Sequence, residues 1–223
     1  MAADPTYITL VASLPYLPPF EKAERVPISR LRLEQRLHIL SADHAQQLAN
    51  AEALVNWRMS LTKPKNDALM VSRYRVLLAS TEHPALRDFI AFRIDQQTVL
   101  AALRQRKAGV EVSVFEQTAH ASRWTRFIAQ HWDDADFKLT FMYPWIPEVR
   151  RLLAANDARG LDRLLMTVIW QRLGHISDTN SFGFEAVFAF VFKWDLLQAW
   201  FARDPITAKS RFQELIKEVK NDG

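Results

Sequence analysis

Cysteine is absent from this 223-residue chain, so it has no disulfide framework, no thiolate nucleophile and no cysteine metal site. Glycine is scarce, at five residues, which argues against glycine-rich phosphate loops and against a sheet protein with many tight turns. There is no GxxxxGKS/T loop, no GxSxG elbow and no HExxH pair. No stretch is expected to cross a membrane. The first twenty residues lack the basic head of a signal peptide, carry Asp4 and Pro5, and end their apolar run at Pro15. These features lead us to expect a cytoplasmic protein.

What is present points to a packed globular body. Hydrophobic residues make up 49% of the chain, and seven of its residues are tryptophan. The net charge of +4 favours acidic partners but is modest for a dedicated nucleic-acid binder. The organising stretch is Ser181–Lys220. Its first part, from about Phe182 to Ala202, is apolar around nearly its whole circumference, as in a helix buried by neighbours on several sides. Its second part starts at Asp204-Pro205 and carries Phe212, Leu215, Ile216 and Val219 at the spacing of a surface helix.

Before that stretch the spacing predicts helices from Ser29 to about Leu40, from Ser41 or Asp43 to about Met59, and from about Asp67 to Ala79. A longer one runs from Pro84 to Lys107 with Gly109 as its terminator. Further helices are predicted from about Gln117 to Trp132, from Tyr143-Pro144 to about Asn156, and from Leu161 to His175. Residues Tyr7–Leu14 fit a strand or one helical turn. Val110–Val114 fits a short strand or an extended link, and Ser177–Asn180 a loop. The fold class is therefore all-α, a multi-helix bundle with a long apolar central helix near the C-terminus. It packs as one domain or as two helical lobes, 1–109 and 110–223.

Chemistry-bearing patterns are few. Six histidines (His38, His44, His83, His120, His131 and His175) are scattered without metal-ligand spacing, and Asp133, Asp134 and Asp136 read as a solvated loop or a helix start. Glu185 and Asp195 are the one carboxylate pair worth following. The simpler reading has Glu185 serving its helix start, while Lys193 and Asp195 reach partners on other helices. Basic residues at Arg30, Arg32 and Arg36, at Arg104, Arg106 and Lys107, and at Arg150 and Arg151 read mostly as solvated helix faces. No catalytic residue, cofactor or metal is expected.

Three segments together carry a family resemblance. Tyr7-Ile8-Thr9-Leu10-Val11-Ala12-Ser13-Leu14-Pro15, followed by Pro27-Ile28-Ser29, resembles the start of a bacterial family associated with V-type ATPases. Asp95, Leu103-Arg104, Arg106 and Gly109 resemble a pattern in the C-type stalk protein of the archaeal and bacterial V/A-type ATPases, whose eukaryotic counterpart is the d-type stalk protein. Phe182–Phe190, with Lys193-Trp194 and Trp200, is similar to that family's C-terminal helix.

The resemblance implies an all-helical, non-catalytic component of the central stalk, a socket coupling the rotary shaft to the membrane rotor ring. The chain is shorter than a three-lobed stalk protein of the C type. The expected partners are the other stalk proteins and the rotor ring, held peripherally at the inner face of the membrane, with no nucleic acid or small-molecule ligand. Arg104 and Arg106 are the candidate partner-binding residues, at least one of them meeting a carboxylate on the stalk or on another helix. Two other classes stay open: a helical enzyme whose acid/base site is assembled in space, and a basic helical module that binds nucleic acid.

Overall fold

A computed structural model describes residues 5–55, 67–118 and 122–203. Among the described residues there are ten α-helices and one 3-10 turn (Phe20–Lys22), and no strand. The helices are α1 (Pro5–Ser13), α2 (Arg30–Leu37), α3 (Ala42–Val55), α4 (Asp67–Ser80) and α5 (Pro84–Lys107). They continue with α6 (Val112–Thr118), α7 (Thr125–Gln130), α8 (Ile146–Ala154), α9 (Ala158–Thr179) and α10 (Phe184–Arg203). The protein is all-α.

Local chemistry sets several boundaries. Ser29 caps α2 by accepting from the Arg32 amide, and Ile28 and Leu33 are both buried across that cap. Pro84 opens α5 where its missing N–H leaves nothing unsatisfied. Two helices end in the paired reverse bonds of a Schellman motif. At the end of α5, Gly109 (φ 72°) donates to the Arg106 carbonyl, and Val110 donates to that of Gln105. At the end of α8, Asn156 (φ 53°) takes the left-handed position, and Asp157 donates back to the Leu152 carbonyl. Asp157 then caps α9 through the Gly160 amide.

Two large hydrophobic cores result, and their partition is the main feature of the fold. The first is built from both ends of the described chain: Tyr7 and Leu10, Leu48, Leu77, Leu86–Ile94 of α5, Met166–Ile176 of α9, and most of α10. The second comes from one continuous stretch, from Val99 to Leu165, and includes Phe115, Ile128, Phe137, Trp145, Ile146 and Val149. The segment between these limits is thus an excursion that leaves the first core along α5 and returns along α9. Both connecting helices are unbroken, α5 about 36 Å long and α9 about 33 Å. The cores do not divide at residue 109: their borders fall inside α5, between Ile94 and Val99, and inside α9, between Leu165 and Met166.

Helix α10 lies against α9, α1, α3 and α5. Phe188 and Phe190 face different neighbours. Phe188 is fully buried among Phe89, Phe184 and Phe192, whereas Phe190 is half-buried beside the small cluster of Ile28, Leu33 and Trp194. The Trp194 indole donates to the Ile28 carbonyl at 2.8 Å, closing that cluster.

Several local expectations change. Tyr7–Leu14 is mostly helix, since Tyr7 and Leu10 at i, i+3 both reach the first core. Val110–Val114 is not extended: the Glu111 carbonyl accepts from the Val114 and Phe115 amides, Phe115 enters the second core, and Val114 stays exposed. Of the helix predicted over 117–132, Thr125–Gln130 forms the short α7, and Gln117 and Thr118 belong to the end of α6; before α7, Ser122 accepts from the Trp124 amide and the Thr125 hydroxyl. Ser177–Thr179 belongs to α9, which continues to bury Ile176. Helix α10 starts at Phe184, later than expected, and Phe182 is half exposed. The helix expected after Pro205 and the end of the one reaching Met59 lie outside the described residues.

Truncating Phe188 to Ala should destabilise the protein by about 3–5 kcal/mol, and Phe190→Ala by clearly less, as read from urea melts. Equal losses, or a Phe188→Ala loss below about 1 kcal/mol, would contradict this placement of α10.

Candidate functional site

The neck between the two cores is polar. On α5 the buried polar positions at this border are Arg93, just before Ile94 of the first core, and Asp95, Gln96 and Thr98 between the two cores. Arg93 occupies a place that the Leu86, Phe89, Ile90 stripe reserves for an apolar residue, and its guanidinium donates to Gln96. Tyr74 of α4 donates to Gln97 at 3.2 Å from the side of the first core. Asp95 faces the excursion. Its carboxylate, 2% exposed, accepts from the Ser122 hydroxyl (2.7 Å), the Tyr143 phenol (2.9 Å) and Arg123 Nε (3.1 Å). The Trp124 indole in turn donates to the Tyr143 oxygen at 2.8 Å. A buried carboxylate is tolerable only with such a full set of donors. Burial, reinforced by Asp95, pushes the Tyr143 phenol up to about 12, so at neutral pH it stays a donor.

Beyond the neck, the end of α5 meets α8 and the turn that precedes it. Arg106 reaches across to this turn: its guanidinium donates to the carbonyls of Trp132, Asp134 and Ala135 and lies 4.7 Å over the Phe137 ring. That turn contains two consecutive left-handed residues without glycine's freedom, Phe137 (φ 54°) and Lys138 (φ 55°). The Asp136 carboxylate braces it by accepting from the Lys138 amide and the Thr140 hydroxyl. Lys107 donates to the Leu153 carbonyl and to Asn156 Oδ1, closing the C-terminal end of α8. Between these elements lies an open cleft of about 440 Å³. Its charged lining residues are Arg106, Lys107, Arg150 and Arg151.

The two candidate residues from the sequence are not brought together. Arg104 is exposed, while Arg106 is part-buried and meets backbone carbonyls rather than a carboxylate. Glu185 and Asp195 do not converge either. Glu185 accepts from Asn180 and lies 3.6 Å from His83, whereas Asp195 lies 3.7 Å from Arg30. Arg30 also binds Glu34 and Glu52, so this arginine ties α2 to α3 and α10 instead of forming a free basic face. Lys193, its ammonium 5.5 Å over the Trp170 ring, is held below its usual range by burial.

A second polar cluster joins α1, α3, α10 and the loop leading into α5. Tyr7 contacts His44, the His44 ring stacks on Phe184 at 4.1 Å, and His83 meets that phenylalanine edge-on. Burial holds the His83 imidazole below its ordinary range despite the opposing pull of Glu185. Gln47 orders this corner by accepting from the backbone amides of Glu82 and His83.

A family model matches residues 65–223, from the start of α4 through the neck, the cleft and α10. The chain belongs to the DUF2764 family, described as proteins of unknown function. No curated protein and no solved structure matches it. No helix among the described residues of this DUF2764 chain is long and apolar enough to cross a membrane, and no group of three or more His, Asp or Glu among them is placed to hold a metal ion.

Asp95→Ala should cost about 3–5 kcal/mol, because it strips the acceptor from two enclosed hydroxyls, and Asp95→Asn should cost less. Urea melts of both variants provide the test. A loss below about 1 kcal/mol for Asp95→Ala would mean that the neck does not depend on this carboxylate.

Proposed function

We propose that this protein is a non-catalytic, peripheral central-stalk component of a bacterial V-type ATPase, a body akin to the C-type stalk protein that couples the rotary shaft to the membrane rotor ring. The observation that carries the proposal is mechanical. Two cores are threaded by the same two unbroken helices, α5 and α9, so among the described residues the chain passes from one core to the other through helix and not through a loop hinge where torque would dissipate. A coupling element needs this stiffness.

The residues that carry the sequence resemblance support the reading from another side, since most of them have a fixed task in this fold. Asp95 anchors the neck, Leu103 is buried in the second core, Arg106 braces the turn before α8, and Gly109 terminates α5. A pattern shared for reasons of fold is expected to sit at such positions.

The test is to purify the V-type ATPase through a tagged catalytic component from cells that make this chain. The chain should co-purify with the stalk, and its deletion should abolish ion pumping while the detached catalytic head still hydrolyses ATP. Absence from the complex, together with normal pumping after deletion, would overturn the proposal.

A further inference from the structure

We propose that the cleft between the end of α5 and α8 is a docking site for an acidic, partly apolar segment of a partner protein. This rests on the coupling reading and deepens it by naming the chemistry that the partner presents. Among the described residues, the charged ones lining the cleft are all cations: Arg106, Lys107, Arg150 and Arg151. The rest of its described lining is apolar: Leu103, Pro147, Leu153 and Ala154.

Two of the four cations are pinned from behind. Arg106 is held by the carbonyls of Trp132, Asp134 and Ala135, and Lys107 by the Leu153 carbonyl and Asn156. Carbonyl partners orient a cation without cancelling its charge, so these two present positive potential with little side-chain freedom left to lose on binding. Arg151 is held by Glu148 in a two-bond fork of 2.6 and 2.8 Å at the exposed surface. Such an exposed pair has little net stability, so replacing Glu148 by a partner's carboxylate is close to balanced. Arg150 is exposed on the same helix and supplies a further charge.

Acidic residues of the neighbouring turn do not fill this recess. Asp133 and Asp136 act on Arg106, and Asp136 also acts on Arg150. Asp134 is paired with Lys138, while Asp136, oriented by the neutral Thr140 hydroxyl and Lys138 amide, keeps its charge, as does Asp133. None of these three carboxylates is among the residues that line the cleft, where four cations are. An incoming carboxylate therefore meets cations set among apolar side chains. The shape selects the class of partner. A bilayer surface cannot enter a cleft between two helices, and among the described residues no aromatic side chain lines the cleft to stack a nucleic-acid base. A polypeptide carrying carboxylates and a few aliphatic side chains fits both features.

The test uses the full chain and a fluorescein-labelled peptide of glutamate and leucine, arranged to place both on one helical face, followed by anisotropy at low and high salt. Saturable binding that weakens with salt is expected, and Arg150→Glu should reduce it about tenfold or more, since it removes a charge-assisted bond and puts a like charge in its place. The Arg150→Glu melt should stay close to wild type, because the side chain is exposed and its attraction to Asp136 is a solvent-screened surface contact rather than a hydrogen bond. Arg150→Gln, which brings no repulsion with Asp136, should weaken peptide binding in the same direction with an unchanged melt. No binding, or binding indifferent to Arg150→Glu, would overturn the proposal. So would equal or tighter binding of a labelled single-stranded oligonucleotide or of phosphatidylserine vesicles. Peptide binding by a chain that is absent from the rotary complex would uphold the docking site and remove only the coupling reading.

Discussion

The continuity of α5 and α9 through both cores constrains every other part of this molecule. Each helix changes partners partway along its length, and at that point α5 has to carry polar residues that belong to neither core. Asp95 resolves the problem toward the excursion, where Ser122, Tyr143 and Arg123 surround its carboxylate. Arg93 sits on the same stretch beside Gln96, and Gln97 accepts from Tyr74 of α4. An apolar neck of the same volume would be at least as stable, but it would tolerate sliding of one core over the other. Directional bonds at the neck are satisfied in one relative placement of α5 and the excursion, which is the sense in which a polar neck would favour specificity over stability. The bracing of the turn before α8 by Arg106 extends the same logic to the far end of α5.

How much of this is legible in the sequence depends on distance along the chain. Helix α5 is readable from Pro84 to Lys107 because its start, its stripe and its terminator are all local signals. The cap at Ser29 and its staple of Ile28 and Leu33 are readable for the same reason. The partition into two cores is not, since it depends on which residues of α5 meet Phe115, Ile128 or Tyr143, many positions away. One signal is present: Arg93, Asp95 and Gln96 interrupt an apolar stripe at positions where a simple surface helix would not bury them. Val110–Val114 misleads because three valines at alternate positions imitate a strand, while burial of Phe115 decides for helix α6.

The site is legible only in part. Arg106 stands out through the resemblance, but its contacts are carbonyls of a turn with two left-handed residues, and nothing in residue spacing announces such a turn. The cationic cleft joins the end of α5 to α8, two elements separated in sequence by α6, α7 and the turn that follows them. Arg150 and Arg151 therefore look like an ordinary solvated helix face until the fold places them opposite Arg106 and Lys107. The proposed docking of an acidic partner rests on that placement, which only the fold supplies.

The central claim is that the two cores behave as one mechanical and thermodynamic unit. Native-state amide hydrogen exchange along α5 tests it most directly, by comparing amides of the Leu86–Ile94 stretch with those of the Val99–Leu103 stretch. The account predicts the same opening free energy on both sides of Asp95, close to that of global unfolding. An excursion whose amides exchange through a separate opening of much lower free energy, while the first core stays protected, would contradict it.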